Sequence, residues 1–402
     1  MIKRSYKNNI FLNYIYEFLL NRNFVQALWP TYLVFRGMSL IEVGVCESVF
    51  HLTSLFFETP TGAIADVFGR RFSRIIGLLL KVVSIVMLLF THTFFMAIIA
   101  FIVSALSYNM ESGSDTAFVY DSLLENNEEK KFTKVQGYRE VVLQVAGLVG
   151  VAIGGILADI KYEYAYGIEI AVLAISLIFL LLMKEVKGRK IIQKERFSKK
   201  IADQYKISFT VIKNNKILLV YIFTLQFFSA SITASFFYLT NYWQSLGYSL
   251  SIISLFLVIE SLAGIIAGII VSKVMAKLGK FKLLLYMPML ICLGLICLPF
   301  MPLSVIALSI MSFCESILYV AMTKYINDFI ESEYRATILS FSSMVFSVIM
   351  IIVFPIVGLL GESFGLKTGF LILALFTVIV YLVYLFFLMK GKNKIKEIDE
   401  KI

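Results

Sequence analysis

The sequence predicts an all-α membrane protein with twelve transmembrane helices in two similar six-helix halves. Hydrophobic residues make up 59% of the 402 residues and charged residues only 16%, with a mean hydropathy of +0.85, unlike a water-soluble domain. Apolar runs of about 20 residues, enough to cross a bilayer core of roughly 30 Å, recur along the chain. One long basic connector divides these runs into two sets of six.

The apolar runs predict twelve spans, numbered in chain order. Their predicted bounds are 10–35, 41–66, 73–92, 94–122, 137–158, 163–184, 216–242, 249–273, 281–301, 303–326, 338–360 and 366–389. Span 1 is long, is interrupted by Asn21-Arg22-Asn23 and is followed at once by another span, unlike a cleaved signal peptide. We therefore expect the N-terminus to stay attached.

The content of Lys and Arg alternates from one connector to the next, and this alternation sets the orientation of the spans. Of the 37 Lys and Arg residues, only Arg36, Lys161 and Lys367 lie in the external connectors. Arg22 lies inside span 1, which leaves 33 on the cytoplasmic side or at its helix ends. Both termini are therefore expected in the cytoplasm.

The connector 185–215 is the one substantial connector and is rich in Lys and Arg. It predicts a six-helix bundle over 1–184, a cytoplasmic linker over 185–215, and a second bundle with a short cytoplasmic tail over 216–402. The linker is expected to lie on the anionic inner leaflet, and a regulatory binding segment is the alternative.

The residue inventory excludes several classes of function. The net charge of +10 comes from connectors and forms no soluble basic face, so nucleic-acid binding is not expected. The four cysteines lie in apolar segments without paired metal-ligand spacing, and only two histidines are present. We expect no metal, no cofactor and no catalysis. No ATP-binding loop is present, so an ion or solute gradient must supply the energy.

A motif follows span 2, reading Gly62-Ala63-Ile64-Ala65-Asp66-Val67-Phe68-Gly69-Arg70-Arg71. A weaker copy, Gly268-x-x-x-Ser272-Lys273 and then Gly279-Lys280, follows span 8. The first motif resembles the signature loop of the major facilitator superfamily, in the position where that family has it. The resemblance covers the whole chain. It implies the major facilitator fold, in which two six-helix bundles rock about a central cavity that opens alternately to each side of the membrane.

The resemblance also implies a latch that closes the cytoplasmic gate. Asp66 would meet the start of span 11 at Ala336-Thr337, where a helix N-terminus favours a carboxylate. Arg70 would pair with Asp121 at the end of span 4, in a geometry that can be bidentate. The predicted gate residues are Gly62, Asp66, Gly69, Arg70, Arg71 and Asp121. The alternative is that Arg70, Arg71 and Arg74 only enforce topology.

Two departures from the family pattern bear on function. Span 5 keeps glycines at 150, 154 and 155 but lacks the proline that drug antiporters of the family often carry there. Span 4 lacks the arginine-containing motif common in proton-coupled members and reads Ser107-Tyr108-Asn109-Met110-Glu111-Ser112-Gly113. The stretch Glu58-Thr59-Pro60-Thr61-Gly62 is similar to a bacterial branch of the superfamily, which implies the bacterial cytoplasmic (inner) membrane.

Polar stripes on spans 1, 4, 7 and 10 predict a cavity, and these four spans line the cavity in the architecture that the chain resembles. A charge near the bilayer centre costs at least about 2.5–3.5 kcal/mol, so each one indicates a function or a partner. The candidate substrate-cavity residues are Asn13, Glu17, Asn21, Arg22, Tyr108, Gln226, Thr233, Phe237 and Tyr319. Arg22 either binds an anionic substrate or forms a structural ion pair with Glu111 or Glu17.

Four carboxyl groups are candidates for proton coupling, because desolvation favours the neutral form of a carboxyl group. They are Glu111, Glu315, Glu58 and Asp115. Glu111 lies near the middle of span 4 and is the first choice, with binding of a substrate cation as its main alternative role. Asp115 lies nearer the cytoplasm and can join the gate with Arg139. Glu58, like Glu260, is equally suited to a hydrogen bond between helices.

These observations favour a secondary active transporter that works by alternating access. The first hypothesis is a monomeric, proton-coupled exporter, or antiporter, of small amphipathic or cationic compounds, similar to multidrug efflux proteins. The alternative is a transporter, for uptake or export, of one defined metabolite or peptide. A membrane receptor that does not transport is a third hypothesis, but an intact gate loop and four polar stripes would serve no purpose in it.

Overall fold

The computed structural model describes residues 6–186, 216–329 and 335–390, and these residues form helices and no strand. The helices in chain order are α1 (Tyr6–Asn21), α2 (Trp29–Phe35), α3 (Leu40–Phe68), α4 (Arg70–Leu89), α5 (Phe94–Glu111), α6 (Ser114–Glu125), a 3-10 turn (Glu129–Lys131), α7 (Phe132–Ile160), α8 (Tyr162–Leu182), α9 (Lys216–Ser245), α10 (Leu250–Cys297), α11 (Leu303–Phe329), α12 (Arg335–Phe364) and α13 (Leu366–Lys390). Most of the predicted linker, 187–215, lies outside the described residues.

The described helices account for all twelve predicted spans. Among the described residues, ten helical segments are long and apolar enough to cross a membrane, with α5 and α6 counted as one segment. The longest, α10, holds spans 8 and 9 on either side of a kink at Gly279, where φ is +69°. Span 1 is divided between α1 and α2, which have 16 and 7 residues and are too short to be counted separately. The prediction of an all-α protein with twelve transmembrane helices is confirmed.

Two predicted spans are broken rather than continuous, which corrects the prediction. In span 1 the helix stops at Asn21 and resumes at Trp29. In span 4 the helix stops at Glu111 and resumes at Ser114, across Gly113 with a left-handed φ of +75°. Non-helical backbone within the bilayer is tolerated where protein surrounds it, so contacts elsewhere in the fold must stabilise both breaks.

Glycines at turns reveal the internal duplication in the backbone itself. Gly37 and Gly247 follow spans 1 and 7, with φ of +91° and +90°. Gly69 and Gly279 follow spans 2 and 8, with φ of +106° and +69°. Both pairs are separated by 210 positions (37 to 247 and 69 to 279). A positive φ favours glycine, so the same turns recur in both halves of the chain.

The chain divides into two compact units. The first comprises Met1–Ile191 with Trp243–Val258, and the second comprises Ile192–Tyr242 with Ile259–Ile402. Within the first unit, Asp159 at the end of α7 accepts hydrogen bonds from the backbone N–H of Leu250, at 3.1 Å, and from the hydroxyl of Ser251, at 2.7 Å. Asp159 thereby caps the start of α10. The predicted boundaries at 184 and 216 stay predictions.

Candidate functional site

Arg74, in the second turn of α4, is completely buried and bonded on each of its three nitrogen atoms. Its Nε donates to Glu111 at 2.7 Å, Nη1 to Asn13 at 2.7 Å and Nη2 to Glu17 at 2.9 Å. The guanidinium also lies 4.5 Å from the centre of the Tyr16 ring, and the Tyr16 hydroxyl donates to the second oxygen of Glu111 at 3.1 Å. Arg74 thus fixes helices α1 and α5 against α4.

Arg139 on α7 extends this set of contacts. Its Nε donates to the same Glu17 oxygen at 3.4 Å, and its Nη2 pairs with Asp115 in the first turn of α6. Five charged side chains therefore alternate in sign, and we call them the ion-pair array: Glu111, Arg74, Glu17, Arg139 and Asp115. The array joins α5, α4, α1, α7 and α6. The pairing of Asp115 with Arg139 that the sequence suggested is present.

The second buried ion pair joins Arg22 to Glu169 on α8, and both side chains are at most 2% exposed. The sequence suggested Glu111 or Glu17 as the partner of Arg22, and the partner is instead Glu169. The same carboxylate accepts the backbone N–H of Phe24 at 2.9 Å. Lys81, in the middle of α4, donates to the Leu20 carbonyl at 3.0 Å, in the last turn of α1. Side chains of α8 and α4 thus stabilise the first part of the break in span 1, from Leu20 to Phe24.

The glycines of span 5 make room for this break. A Cβ atom on Gly150 would lie 2.6 Å from the carbonyl carbon of Arg22, and one on Gly154 would lie 2.1 Å from the carbonyl oxygen of Phe24. Neither distance is compatible with a side chain, so the face of α7 that packs on the irregular segment of span 1 must consist of glycines, which we call the glycine stripe. These glycines therefore have a structural role here even though the family's proline is missing.

The predicted gate loop joins α3 to α4. Asp66 pairs with Arg70, one helical turn later, at 2.8 Å. Arg70 lies near enough to act electrostatically on Asp121, but no described ion pair joins the two residues. Ala336 and Thr337 start α12, and their side chains lie outside the described part of the chain. The latch therefore stays a prediction.

Gly69 and Arg71 have contacts that the sequence did not suggest. A Cβ atom on Gly69 would lie 2.7 Å from the Glu185 carboxyl carbon. That carboxylate accepts the backbone N–H of Arg71 at 3.0 Å, so it caps the start of α4. In return, the Arg71 guanidinium donates to two carbonyls in the last turn of α8, at 3.0 and 2.7 Å. The two helix ends cap each other.

Several other predicted residues of the first unit have more open surroundings. Asn21 donates to Glu17 at 3.0 Å and so contacts the array. Tyr108 is 57% exposed, with its ring 5.8 Å from that of Phe50. Glu58 is exposed on α3, and a Cβ atom on Gly62 would meet nothing within 4 Å.

The predicted residues of the second unit do not form an ion-pair array. Glu315 on α11 lies beside Ser229 of α9 and Glu260 of α10. Gln226 donates to the hydroxyl of Ser342 at 2.8 Å. The remaining three predicted residues lie on α9 and α11: Thr233 is half-buried, Phe237 packs on Phe354 at 5.9 Å between ring centres, and Tyr319 is 71% exposed. Among the described residues, no three His, Cys, Asp or Glu side chains are placed to hold a metal ion.

Sequence reasoning missed three charged residues inside the first unit, of which Arg74 and Glu169 are buried and Lys81 is half-buried. Glu169 and Lys81 lie inside the apolar runs of spans 6 and 3, so the rule that an ionisable residue within a span needs a partner would have found them. Lys81 also corrects the count of basic residues, because it lies within α4 and not at a helix end. Arg74 was weighed only as a determinant of topology, and it is the centre of the array.

Buried charges among many apolar helices, with a duplicated arrangement of spans, define a polytopic membrane transport protein. The family model of the Major Facilitator Superfamily matches residues 10–309 and 289–401. This match covers most of the sequence, so the chain belongs to the Major Facilitator Superfamily and is a multi-pass membrane transporter.

Two relatives and two solved structures illustrate the similarity. The chain is 23% identical over 396 residues to the uncharacterized MFS-type transporter YxaM of Bacillus subtilis (strain 168), and 94% of each chain is covered. It is 26% identical over 159 residues to the quinolone resistance protein NorA of Staphylococcus aureus (strain N315), covering 39% of this chain and 40% of that protein. The nucleoside transporter NupG has a similar fold, with a TM-score of 0.80 at 12% identity, covering 95% of this chain and 98% of that one. For the D-xylose-proton symporter the TM-score is 0.73 at 15% identity, covering 94% and 97%.

Proposed function

We propose that this transporter is a proton-coupled exporter of small amphipathic or cationic compounds. It acts as a monomer by alternating access, in a bacterial cytoplasmic membrane, with both termini in the cytoplasm. The observation that carries the proposal is the ion-pair array, which places carboxyl groups that can bind protons at the centre of five helices. A static membrane protein has little use for such an array, because apolar packing would serve as well or better.

Glu111 is the proposed proton carrier. Its side chain is 19% exposed, whereas Arg74 beside it is fully buried, so the carboxylate is accessible and the guanidinium is not. When Glu111 binds a proton it loses the charge that holds Arg74, and the contact between α5 and α4 weakens. A change of protonation at this position therefore alters how helices pack, which is the link that coupled transport needs.

The proposed substrate class rests on two supports. The stretch that is similar to a quinolone resistance protein favours efflux of amphipathic compounds. In the second unit, Glu260 and Glu315 have serine neighbours, and no described cation pairs with either carboxyl group. A carboxylate without a protein cation is suited to a cationic substrate group.

The test is transport by purified protein in liposomes with an imposed pH gradient, with ethidium and a quinolone as probes and a nucleoside and xylose as comparison solutes. We expect the gradient to drive ethidium or the quinolone uphill. Movement of the nucleoside or xylose alone would overturn the proposed substrate class, and uphill movement that ignores the pH gradient would overturn proton coupling.

The variant Glu111→Gln imitates the protonated carboxyl permanently. We expect it to exchange the probe down its gradient but to lose accumulation driven by the pH gradient. Glu47→Gln is the matched control, because Glu47 is another carboxyl group of a transmembrane helix and its partner, His51 at 3.5 Å, lies outside the array. Uphill pumping by Glu111→Gln at the wild-type rate would show that Glu111 does not couple transport, and Glu315→Gln and Glu58→Gln would then be measured.

A further inference from the structure

The ion-pair array contains three carboxyl groups and only two guanidinium groups. Every contact in it is between opposite charges, at 2.7 to 3.4 Å for the three that involve Glu111 or Glu17. Arginine stays protonated in proteins, so the two guanidinium groups contribute a fixed charge of two. Full ionisation of the carboxyl groups would leave one negative charge in excess within the membrane, which is unfavourable. One bound proton would make the array neutral.

The two ends of the array are partly exposed and the middle is buried. Glu111 and Asp115 are 19% and 20% exposed, whereas Glu17 is 2% exposed. Glu17 lies between both guanidinium groups, and its second oxygen accepts a hydrogen bond from Asn21. The ends are therefore the places where a proton can enter and leave.

Both ends belong to span 4, on either side of its break. Glu111 is the last residue of α5, and Asp115 is the second residue of α6, with the left-handed Gly113 between them. A separate observation concerns α1 beside the array: Asn13 is 1% exposed and its Oδ1 atom accepts from Arg74, but its Nδ2 atom has no hydrogen-bond partner among the described residues.

Other ionisable groups face the array from the helices around it. On α1 the Tyr16 hydroxyl contacts Glu111, and Arg22 is matched one to one by Glu169 on α8. On α4 the Lys81 ammonium bonds to a backbone carbonyl and not to an array carboxylate. On α3 Glu58 is exposed, and on α7 the Gln136 amide is 3.4 Å from Arg139. Among these groups only Lys81 could neutralise the array in place of a proton.

We propose that the array binds one exchangeable proton as a unit, at either of its open ends, Glu111 or Asp115. The proton adds to a carboxylate oxygen from water on uptake and returns to water on release, and no other bond forms or breaks. Because both ends flank the break in span 4, moving the proton changes which half of the span is tied to its guanidinium group. The proposal rests on the proton coupling proposed above and adds its location and a count of one proton.

The test counts carboxyl groups by infrared difference spectroscopy of the purified full-length protein in liposomes, between acid and alkaline pH. In wild type, the array should give one protonated-carboxyl band, which is present at acid pH and absent at alkaline pH. Both Glu111→Gln and Asp115→Asn should lose that band, because each leaves two carboxylates matched by two guanidinium groups. The control Glu47→Gln and the variant Lys81→Met should keep it. If Glu111 titrates alone, Asp115→Asn keeps the band and the proposal is wrong.

A second arm restores the excess carboxyl group. The double variant Asp115→Asn/Arg139→Gln has two carboxyl groups and one guanidinium group, so the band lost in Asp115→Asn should return. Continued absence of the band in a folded double variant overturns the proposal, as does a band in Lys81→Met that wild type lacks. The single variants decide the question if the double variant does not fold. The spectrum needs no substrate, so it separates this inference from the proposed function: a titrating array without pH-driven transport contradicts only the latter.

Discussion

A single guanidinium group, that of Arg74, organises the candidate site at the scale of residues. It is planar, has its donors in fixed directions, and uses them on Glu111, Asn13 and Glu17 at once. A lysine could supply the charge but not three fixed directions. The identity of this residue therefore matters as much as its charge.

We expect Arg74→Gln to lower the free energy of unfolding by about 3–5 kcal/mol, because it leaves Glu111 without a cation and removes one of the two cations that contact the buried Glu17. Arg74→Lys should have a smaller effect on stability and still impair transport. Chemical or thermal unfolding of the detergent-purified variants measures this. The control is Arg70→Gln, whose ion pair is partly exposed, at 26% and 53%, and should change stability by less than about 1 kcal/mol. Equal effects at both positions would contradict the structural role of Arg74.

For the exposed pair at the gate loop, Asp66 and Arg70, we expect a large effect on transport and a small effect on stability. Asp66→Asn and Arg70→Ala should leave folded protein in the membrane and each strongly reduce transport, because they loosen one conformation of the gate and hardly touch the cavity. Flux measurements and cross-linking of cysteines placed near 67 and 336 check this. Full activity of both variants would remove the latch from the description.

At the scale of elements, the notable feature is that spans 1 and 4 are broken. Spans 1 and 4 are the first members of the two sets of three spans, 1–3 and 4–6, that make up the first half of the chain. In span 1 the glycine stripe of α7 packs directly on the irregular backbone, and Glu169 accepts the backbone N–H of Phe24. The break is thus held by side chains and glycines of other helices.

We expect Gly154→Ala to destabilise the protein by about 1–3 kcal/mol, because its methyl group would lie 2.1 Å from the Phe24 carbonyl oxygen. Gly147→Ala on the same helix is the matched control, since a Cβ atom there meets nothing within 4 Å. It should be neutral or slightly stabilising, because alanine favours the helix. Apparent melting temperatures in detergent compare the two, and equal values would show that α7 does not pack tightly on span 1.

Spans could be predicted from the sequence and breaks could not, for a physical reason. An apolar run of about 20 residues decides by itself that a segment crosses the bilayer. Whether the helix continues through Arg22 depends on Glu169, 147 residues away, and on glycines in a third span. In the same way, the side chains of Glu17, Glu111 and Asp115 were recognised as important from their depth, but their connection through Arg74 and Arg139 depends on how five helices pack.

At the scale of the whole molecule, the sequence carries two global signals, the duplicated turns and the distribution of Lys and Arg. The duplicated turns recur at a constant separation of 210 positions, so the two halves share one plan of turns (37 to 247 and 69 to 279). The basic residues cluster in every second connector. The first signal bears on how the chain folds and the second on which way it faces.

The topology prediction is tested at position 195, which lies in the basic linker. A cysteine introduced there, Glu195→Cys, should react with a membrane-impermeant thiol reagent only after the cells are opened, because positive connectors stay in the cytoplasm. A cysteine replacing Lys161, in an external connector, should react in intact cells and serves as the control. Labelling of position 195 from outside would overturn the orientation.

The Arg22–Glu169 pair also bears on how the protein is made. Ribosomes deliver span 1 first and span 6, with Glu169, 147 residues later. Until then the arginine has no carboxylate partner, and its entry into the bilayer centre costs roughly 2.5–3.5 kcal/mol. The nascent first span is therefore expected to wait at the insertion machinery or at the membrane surface. The first six spans would then enter the bilayer as an assembled group, completed by the last of them, rather than one helix at a time.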